Sequence, residues 1–202
     1  MTTASNNTSS VETPEIIAGI QAQEHDALEA VVNAYLPQIV RAARGAGLNA
    51  VAADDVAQET FITFFEKAPT FEGRSKIRTW IFGILYRKIA EARRSAKRSN
   101  EMDDIDELVD QRFNPDGKWI RPPRPVDQDL YESEVMELLD ECLDTVPDQQ
   151  KMAFVLREME EMETTEICNV LDVTTTNLGV LLFRARNRLR ECLESKGVGS
   201  QG

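Results

Sequence analysis

A basic segment interleaved with aromatic residues is the first feature of the sequence that could bind a ligand. Between Arg74 and Arg98 it carries nine lysines and arginines against a single acid, Glu91. Four aromatic residues lie in it or just before it: Phe71, Trp80, Phe82 and Tyr86. Aromatic rings stack on unpaired bases while lysine and arginine follow the phosphate backbone, which is what single-stranded nucleic acid requires. The alternative is an ordinary core role, which is favoured for Trp80 and stays open for Phe71 and Tyr86.

A second basic segment lies near the end of the chain. Thr164 and Thr165 precede a predicted short helix that runs from about Glu166 to Leu171. Residues 172–174 predict a tight turn, and residues 175–195 a longer helix that carries Arg184, Arg186, Arg188 and Arg190. This order is typical of a helix-turn-helix, whose second helix enters the DNA major groove. A solvated basic face is the alternative. The apolar positions of the long helix belong to the core under either interpretation: Leu178, Leu181, Leu182, Ala185 and Leu189.

An acidic cluster precedes the first basic segment. Asp54, Asp55, Gln58 and Glu59 lie near the start of a predicted helix. We expect one of the two aspartates to cap that helix, because a carboxylate accepts hydrogen bonds from the free N–H groups of the first turn. Carboxylates one turn apart also form a docking face for a basic partner helix.

Apolar residues that recur every three to four positions predict helices throughout, with Gly and Pro too few for a strand-rich protein. Residues 100–129 are acidic and contain Pro122-Pro123-Arg124-Pro125, which indicates a linker. We therefore predict an all-α protein of two small helical domains, at 14–99 and 130–196, joined by an acidic, proline-containing linker at 100–129. The second domain holds the helix-turn-helix, and residues 1–13 and 197–202 are expected to be flexible tails.

Composition excludes several classes of function. The chain has 202 residues and a net charge of −12, and no apolar run approaches the ~18 residues of a membrane span. Its polar start predicts no secretory signal, and three scattered cysteines (Cys142, Cys168, Cys192), interpreted as small core residues, suit a reducing cytosol. His25 has no partner at ligand spacing, and no phosphate-binding or nucleophile motif occurs. We expect no catalytic residue, metal, cofactor or small-molecule substrate.

Together these motifs resemble the extracytoplasmic-function (ECF) group of bacterial sigma factors. The stretch Asp54-Asp55-Val56-Ala57-Gln58-Glu59-Thr60-Phe61 looks like the acidic helix that docks on core polymerase, and Phe71-Glu72-Gly73-Arg74-Ser75-Lys76-Ile77-Arg78-Thr79-Trp80 looks like the loop and helix that melt the −10 element. In the second domain, Phe183-Arg184-Ala185-Arg186-Asn187-Arg188-Leu189 follows the −35-binding pattern. The resemblance implies a transcription initiation factor, not an enzyme, that binds core RNA polymerase through β and β′, binds promoter DNA, and is held by an anti-sigma factor.

The resemblance also implies site residues. The polymerase-binding set is Asp54, Asp55, Gln58 and Glu59. The −10 set is Phe71, Arg74, Ser75, Lys76, Arg78, Trp80, Tyr86, Arg87 and Arg94. The −35 set is Arg157, Thr176, Asn177, Phe183, Arg184, Arg186 and Arg188. We expect a cytoplasmic protein that joins the nucleoid in the holoenzyme and that a membrane-tethered anti-sigma factor would hold at the inner membrane.

The chain departs from the family pattern at four positions. Gly179 and Val180 stand where members usually carry a basic and a small polar residue, Leu181 replaces a common Arg, and Arg87 stands where many have an Asn. Two other functions compete with the sigma interpretation. A conventional helix-turn-helix regulator would act without polymerase, and a helical adaptor would use no nucleic acid.

Overall fold

The computed structural model describes residues 11–96 and 132–198, and every regular element within these ranges is helical. This confirms the predicted all-α class. The first half contains α1 (Pro14–Gln21), α2 (His25–Gly45), α3 (Ala50–Lys67), a 3₁₀ turn (Ala68–Thr70) and α4 (Ile77–Ala96). The second half contains α5 (Glu132–Asp144), α6 (Asp148–Phe154) with a π-helical turn (Val155–Met159), α7 (Thr164–Leu171) and α8 (Thr175–Ser195).

The first half is held together by the apolar stripes of α2, α3 and α4. Tyr35, Phe64 and Phe82, one from each helix, are fully buried. Helix α3 begins at Ala50, because the side chain of Asn49 accepts a hydrogen bond from the Ala52 N–H at 2.9 Å. The expectation that an aspartate caps this helix is therefore wrong. Asn49 takes that role, and the acidic cluster lies beyond the first turn.

Helix α4 takes its N-terminal cap from a residue 65 positions earlier in the chain. The Glu12 carboxylate accepts the backbone N–H groups of Ile77 and Arg78 at 2.8 and 2.9 Å, and the Tyr35 hydroxyl donates to it at 2.7 Å. Val11 beside it is buried. Residues 11–13, which the sequence places in a flexible tail, thus fix the start of the basic helix.

In the second half, α7 and α8 form the predicted helix-turn-helix. Glu163 and Glu166 make a reciprocal capping box at the start of α7, and Asp172 ends that helix in a left-handed conformation (φ 55°). Thr174 then caps α8 by accepting the Asn177 N–H at 3.2 Å. The three-residue turn is thus closed by local hydrogen bonds. At the far end of α8, Val198 is buried and its N–H bonds to the Leu193 carbonyl, so the chain stays ordered past the expected boundary at residue 196.

Two of the three cysteines are joined. Cys142 of α5 and Cys192 of α8 form a disulfide with their Cα atoms 5.6 Å apart, whereas Cys168 is free and partly buried. Cys142 is a buried core residue as predicted, and Cys192 packs against the same cluster, but the expectation that the cysteines are reduced is wrong for this pair. A separation of 50 residues with no CxxC motif carries no information about pairing, which is decided by how α5 packs on α8.

The two halves pack against each other rather than standing apart. One apolar cluster contains buried residues of both, among them Ile81 of α4 and Ile167 of α7. At Gly45 a Cβ atom would lie 2.9 Å from the Met159 sulfur, and at Gly47 (φ 89°) it would lie 2.7 Å from Lys151 Nζ. The absence of a side chain at these two glycines allows the second half to pack closely against the end of α2. The predicted linker, residues 100–129, lies outside the described residues and stays a prediction.

The disulfide leads to a stability prediction. Closing a loop of this length stabilises a fold by about 2–4 kcal/mol, chiefly by restricting the unfolded chain. We expect reduction by dithiothreitol to lower the thermal melting temperature of the oxidised protein. The variant Cys142→Ser/Cys192→Ser should melt at the lower temperature with or without reductant. Cys168→Ser serves as the control and should keep the response to reductant. Identical melting of the wild type in both conditions would contradict the pairing.

Candidate functional site

The acidic cluster lies on the outer face of α3. Asp54, Asp55, Gln58 and Glu59 are exposed, while the intervening residues Val56, Ala57 and Thr60 are buried. Glu59 also lies 3.7 Å from Lys88 of α4. The cluster thus presents its carboxylates to solvent on a rigid helix, as a docking face requires.

Two apolar side chains extend this face and were missed in the sequence. Val51 and Ile62 are 72% and 49% exposed. With Asp55 and Gln58 they follow a spacing of four, three and four residues, which places all of them on one side of α3. We call residues 51, 55, 58, 59 and 62 the α3 outer face. The helical spacing was the signal that could have revealed it.

The structure divides the predicted −10 residues into an outward and an inward group. Arg74, Arg87 and Arg94 are exposed; Arg74 pairs with Glu72, and Arg94 bonds to a carbonyl of its own helix. Ser75, beside Arg74, is partly exposed and bonds to the Lys76 carbonyl. This outward group can meet a polyanion directly.

The aromatic members of the set belong mainly to the core. Phe71 is 6% exposed, and its ring stacks on Trp80 with centroids 4.6 Å apart. Trp80 also meets Phe64 edge-on, and Tyr86 is half-buried, with burial and then Asp148 raising its pKa. Phe71 is therefore buried beneath the loop that precedes α4, and its stacked ring is not exposed enough to receive a base.

The inward group, Lys76 and Arg78, contacts the second half of the chain. Lys76 Nζ lies 2.9 Å from Glu166 Oε1 on α7, and Arg78 lies 3.7 Å from Glu160 Oε2 while it donates to the Glu160 carbonyl. Glu160 has no exposed side-chain surface, and Arg41 holds it by two hydrogen bonds of 2.8 Å. We call Arg41, Lys76, Arg78, Glu160 and Glu166 the bridging cluster. It places two carboxylates against cations predicted to bind DNA phosphates.

The carboxylates of the bridging cluster differ in their environment. Burial raises the pKa of Glu160, and the Arg41 guanidinium opposes this shift. Burial also raises the pKa of Glu166, but the hydrogen bonds from Lys76 and from the Glu163 backbone N–H outweigh it, so that this pKa lies below its ordinary value. Glu166 is therefore the member whose charge the folded state favours.

The predicted −35 residues lie on or beside α8. Thr176 and Asn177 are exposed in its first turn, and Phe183 is 37% exposed two turns later. Arg184 and Arg188 are half-buried, Arg186 pairs with Glu158 at 2.6 Å, and Arg157 donates to Thr164 at 2.6 Å. Val180, 41% exposed on the same face, was not counted as a site residue. The long helix thus has an uncharged outer face in its first half and arginines after it.

The described parts of the chain contain neither a candidate metal-binding group nor a candidate membrane-spanning helix. Within residues 11–96 and 132–198 no group of three or more His, Cys, Asp or Glu side chains could hold a metal ion. Over the same residues, none of the helices combines the length and the apolar character of a transmembrane span.

Both halves of the chain match regions of the sigma-70 family. Residues 31–99 match Sigma-70 region 2, and residues 136–189 match Sigma-70, region 4. A probable RNA polymerase sigma factor of Haemophilus influenzae is 32% identical over 152 residues, which cover 71% of this chain and 78% of that protein. The ECF RNA polymerase sigma factor SigM of Bacillus subtilis is 25% identical over 149 residues, covering 74% and 83% of the two chains.

Two solved structures share the fold. CnrH in complex with the cytosolic domain of CnrY aligns with a TM-score of 0.65 and 19% identity, over 90% of this chain and 96% of that one. The sigma factor RpoE in complex with the anti-sigma factor NepR from Bartonella quintana aligns with a TM-score of 0.61 and 21% identity, over 82% and 96%.

The bridging cluster leads to a pH prediction. Because the folded state lowers the pKa of Glu166, its ionised form stabilises the fold above the ordinary glutamate pKa, and this contribution disappears as the pH falls through the lowered value. Glu166→Gln keeps the capping acceptor but removes the charge. We expect it to lower the free energy of unfolding by up to about 1 kcal/mol at pH 7, since Lys76 is largely exposed.

Urea unfolding of both proteins across the acidic range checks this. The difference between wild type and variant should vanish at low pH, where both side chains are neutral. Glu160 is present in both proteins, so its opposite contribution cancels. A difference that grows on acidification would refute the assignment.

Proposed function

The chain belongs to the ECF group of sigma-70 RNA polymerase sigma factors, and on this basis we propose which surface binds which partner. These proteins are transcription initiation factors that direct core polymerase to promoters. The α3 outer face docks on core polymerase. The exposed basic side of α4 binds the melted −10 region, and α8 enters the major groove at −35. We assign the chain no catalytic reaction of its own, and we place it in the cytoplasm, where promoter DNA is.

One observation carries this division. Exposed arginines lie on two helices of different halves, Arg87 and Arg94 on α4 and Arg186 on α8. A solvent-facing acidic surface lies on a third helix, α3. Carboxylates repel DNA and attract a basic protein surface, whereas arginines bind phosphates. A conventional helix-turn-helix regulator would use α8 alone and leave the first half without a role.

Docking combines charge with apolar contact. Asp55 and Glu59 supply the negative charge, and the exposed Val51 and Ile62 supply surface that gains free energy when it leaves water. The charges raise the association rate and set the orientation, while the apolar pair slows dissociation. We expect the β′ subunit to provide the basic partner surface, and β to contact the second half.

The packed arrangement cannot span a promoter. The −10 and −35 elements are 25 positions apart, which is about 85 Å along B-DNA. In the structure Lys76 of the −10 set touches Glu166 beside the −35 set at 2.9 Å. The 35 residues from 97 to 131 reach at most about 120 Å when extended. We infer that the two halves separate when the holoenzyme binds DNA, and that the chain between them is long enough to permit it.

The bridging cluster sets the cost of this separation. Glu160 and Glu166 occupy Lys76 and Arg78 as phosphates would, so the packed form hides part of the −10 surface. Among the described residues, the buried Nε atom of Arg78 has no hydrogen-bond partner, which makes the position of Arg78 in the packed form less favourable. Polymerase that binds the separated form more tightly shifts the population toward it.

An anti-sigma factor is the expected regulator. Two of the solved structures that share this fold are complexes with a second protein, which in one of them is an anti-sigma factor. We propose that such a protein holds this chain, and that the packed arrangement is the form it recognises.

The docking proposal is tested by reversing charge on the α3 outer face. We expect Asp55→Lys/Glu59→Lys to weaken binding to core polymerase at least tenfold in a pull-down, because like charges then meet across the interface. Run-off transcription with core polymerase on a promoter library should fall in parallel. Glu29→Lys/Asp26→Lys makes the same charge change on exposed residues of α2 and should bind normally. Undiminished binding by the α3 variant, with circular dichroism unchanged, would contradict the docking face. A wild type that starts no transcript would contradict the function.

The opening proposal is tested by a zero-length carbodiimide cross-link between Lys76 and Glu166. We expect the link to form in the free protein, because the two groups are 2.9 Å apart, and to be lost when core polymerase and promoter DNA are added. Mass spectrometry of the digested chain measures it.

A matched control is available within the second half. Lys196 and Glu141 lie 2.6 Å apart, and their cross-link should form equally in the free protein and in the promoter complex. If the Lys76–Glu166 link persists in the promoter complex while transcription proceeds, the halves do not separate as proposed.

A further inference from the structure

The first half of α8 presents a partly exposed apolar face. Val180 and Phe183 are 41% and 37% exposed and lie three residues apart, on the same side of the helix. Thr176 and Gly179, also exposed, lie one turn before them. We call these four residues the α8 outer face. It offers methyl groups, a ring and bare backbone, and no charge.

Packing against the described parts of the chain does not require glycine at position 179. Among the described residues, a Cβ atom there would meet nothing within 4 Å, and the backbone is helical, so another residue would fit. Glycine inside a helix also destabilises it relative to alanine. A glycine that neither packing nor backbone conformation requires is suited to the close approach of a ligand.

The surroundings of the α8 outer face indicate which ligand this is. Arg184, Arg186, Arg188 and Arg190 follow it along the same helix, and the acids of α8, Glu191 and Glu194, lie at the far end. An uncharged centre followed by arginines fits the major groove, where base edges lie between two rows of phosphates. A basic border of this kind does not fit an apolar protein groove as well.

Resting on the proposed function, we propose that the α8 outer face reads thymine in the −35 element through its C5-methyl group. Thymine alone presents a methyl group in the major groove, and apolar side chains recognise it by direct contact. Val180 and Phe183 make these contacts, and Gly179 lets the helix backbone approach the neighbouring base pair. Residues near the start of a recognition helix are the ones that reach base edges, which places this face correctly.

The test replaces thymine by deoxyuridine, which removes the methyl group and changes nothing else. Reconstituted holoenzyme first selects a −35 sequence from a randomised library, and each thymine of the selected site is then replaced singly. We expect one or two positions at which wild-type binding weakens about fourfold, the effect of losing one methyl-sized contact. At one of them Val180→Ala should bind the thymine and deoxyuridine sites equally.

A control variant truncates an apolar side chain that is as exposed as Val180 but lies on another helix. Leu36→Ala on α2 alters a residue 40% exposed and should keep the full thymine preference. Gly179→Ala gives a second, independent readout. It should raise the melting temperature, because alanine favours the helix, and still weaken promoter binding. Binding that is unchanged by this substitution would contradict the close approach.

The outcomes separate this proposal from the function on which it rests. If holoenzyme selects no sequence and starts no transcript, the proposed function fails. If it selects a −35 sequence but deoxyuridine has no effect at any position, thymine readout is overturned. If Val180→Ala lowers core polymerase binding instead, the α8 outer face is a protein contact and the proposal is likewise overturned.

Discussion

A carboxylate that is removed from water must be paired, and in this protein that constraint joins the two halves. Within the described residues, the side chain of Glu160 has no exposed surface and is paired with Arg41 and Arg78, which come from helices α2 and α4 of the other half. Removing either cation while the halves stay packed would leave a buried charge with fewer partners, which costs more than an exposed ion pair contributes. The same contact orients α7 against the start of α4. The packed arrangement therefore depends on a polar contact set within an apolar interface.

The residues that make this contact are also ones that we propose to bind DNA. Arg78 and Lys76 are cations of the type that binds phosphates, and in the packed form carboxylates pair with them instead. Under the proposed function, the second half and DNA would compete for these two cations. Core polymerase is the partner that we propose to stabilise the separated halves and so to favour DNA. The net charge of the whole chain is −12, which repels DNA, so we expect the free protein to bind DNA weakly.

The two helices that we propose to bind DNA, α4 and α8, differ in what surrounds their arginines. On α4 the aromatic residues lie beneath the surface, where Phe71 and Trp80 stack on each other and stiffen the loop that precedes the helix. On α8 apolar groups lie on the surface itself, ahead of the arginines. The arrangement on α4 suits a single DNA strand that is bound through its phosphate backbone. The arrangement on α8 suits the major groove, where base edges are contacted. The acidic α3 outer face lies on a third helix, so the proposed docking surface is separate from the proposed DNA-binding surfaces.

Much of this organisation was already determined by the sequence. The helices, the turn between α7 and α8 and the buried stripe of α8 follow from local spacing, because a side chain three or four residues away shares the same helical face. The charge segregation along the chain is local as well. Contacts between distant residues were decided only by the tertiary structure. Glu12 caps α4, Cys142 meets Cys192, and Glu160 faces Arg41 only because helices far apart in the chain pack together, and nothing in the local spacing encodes such pairings.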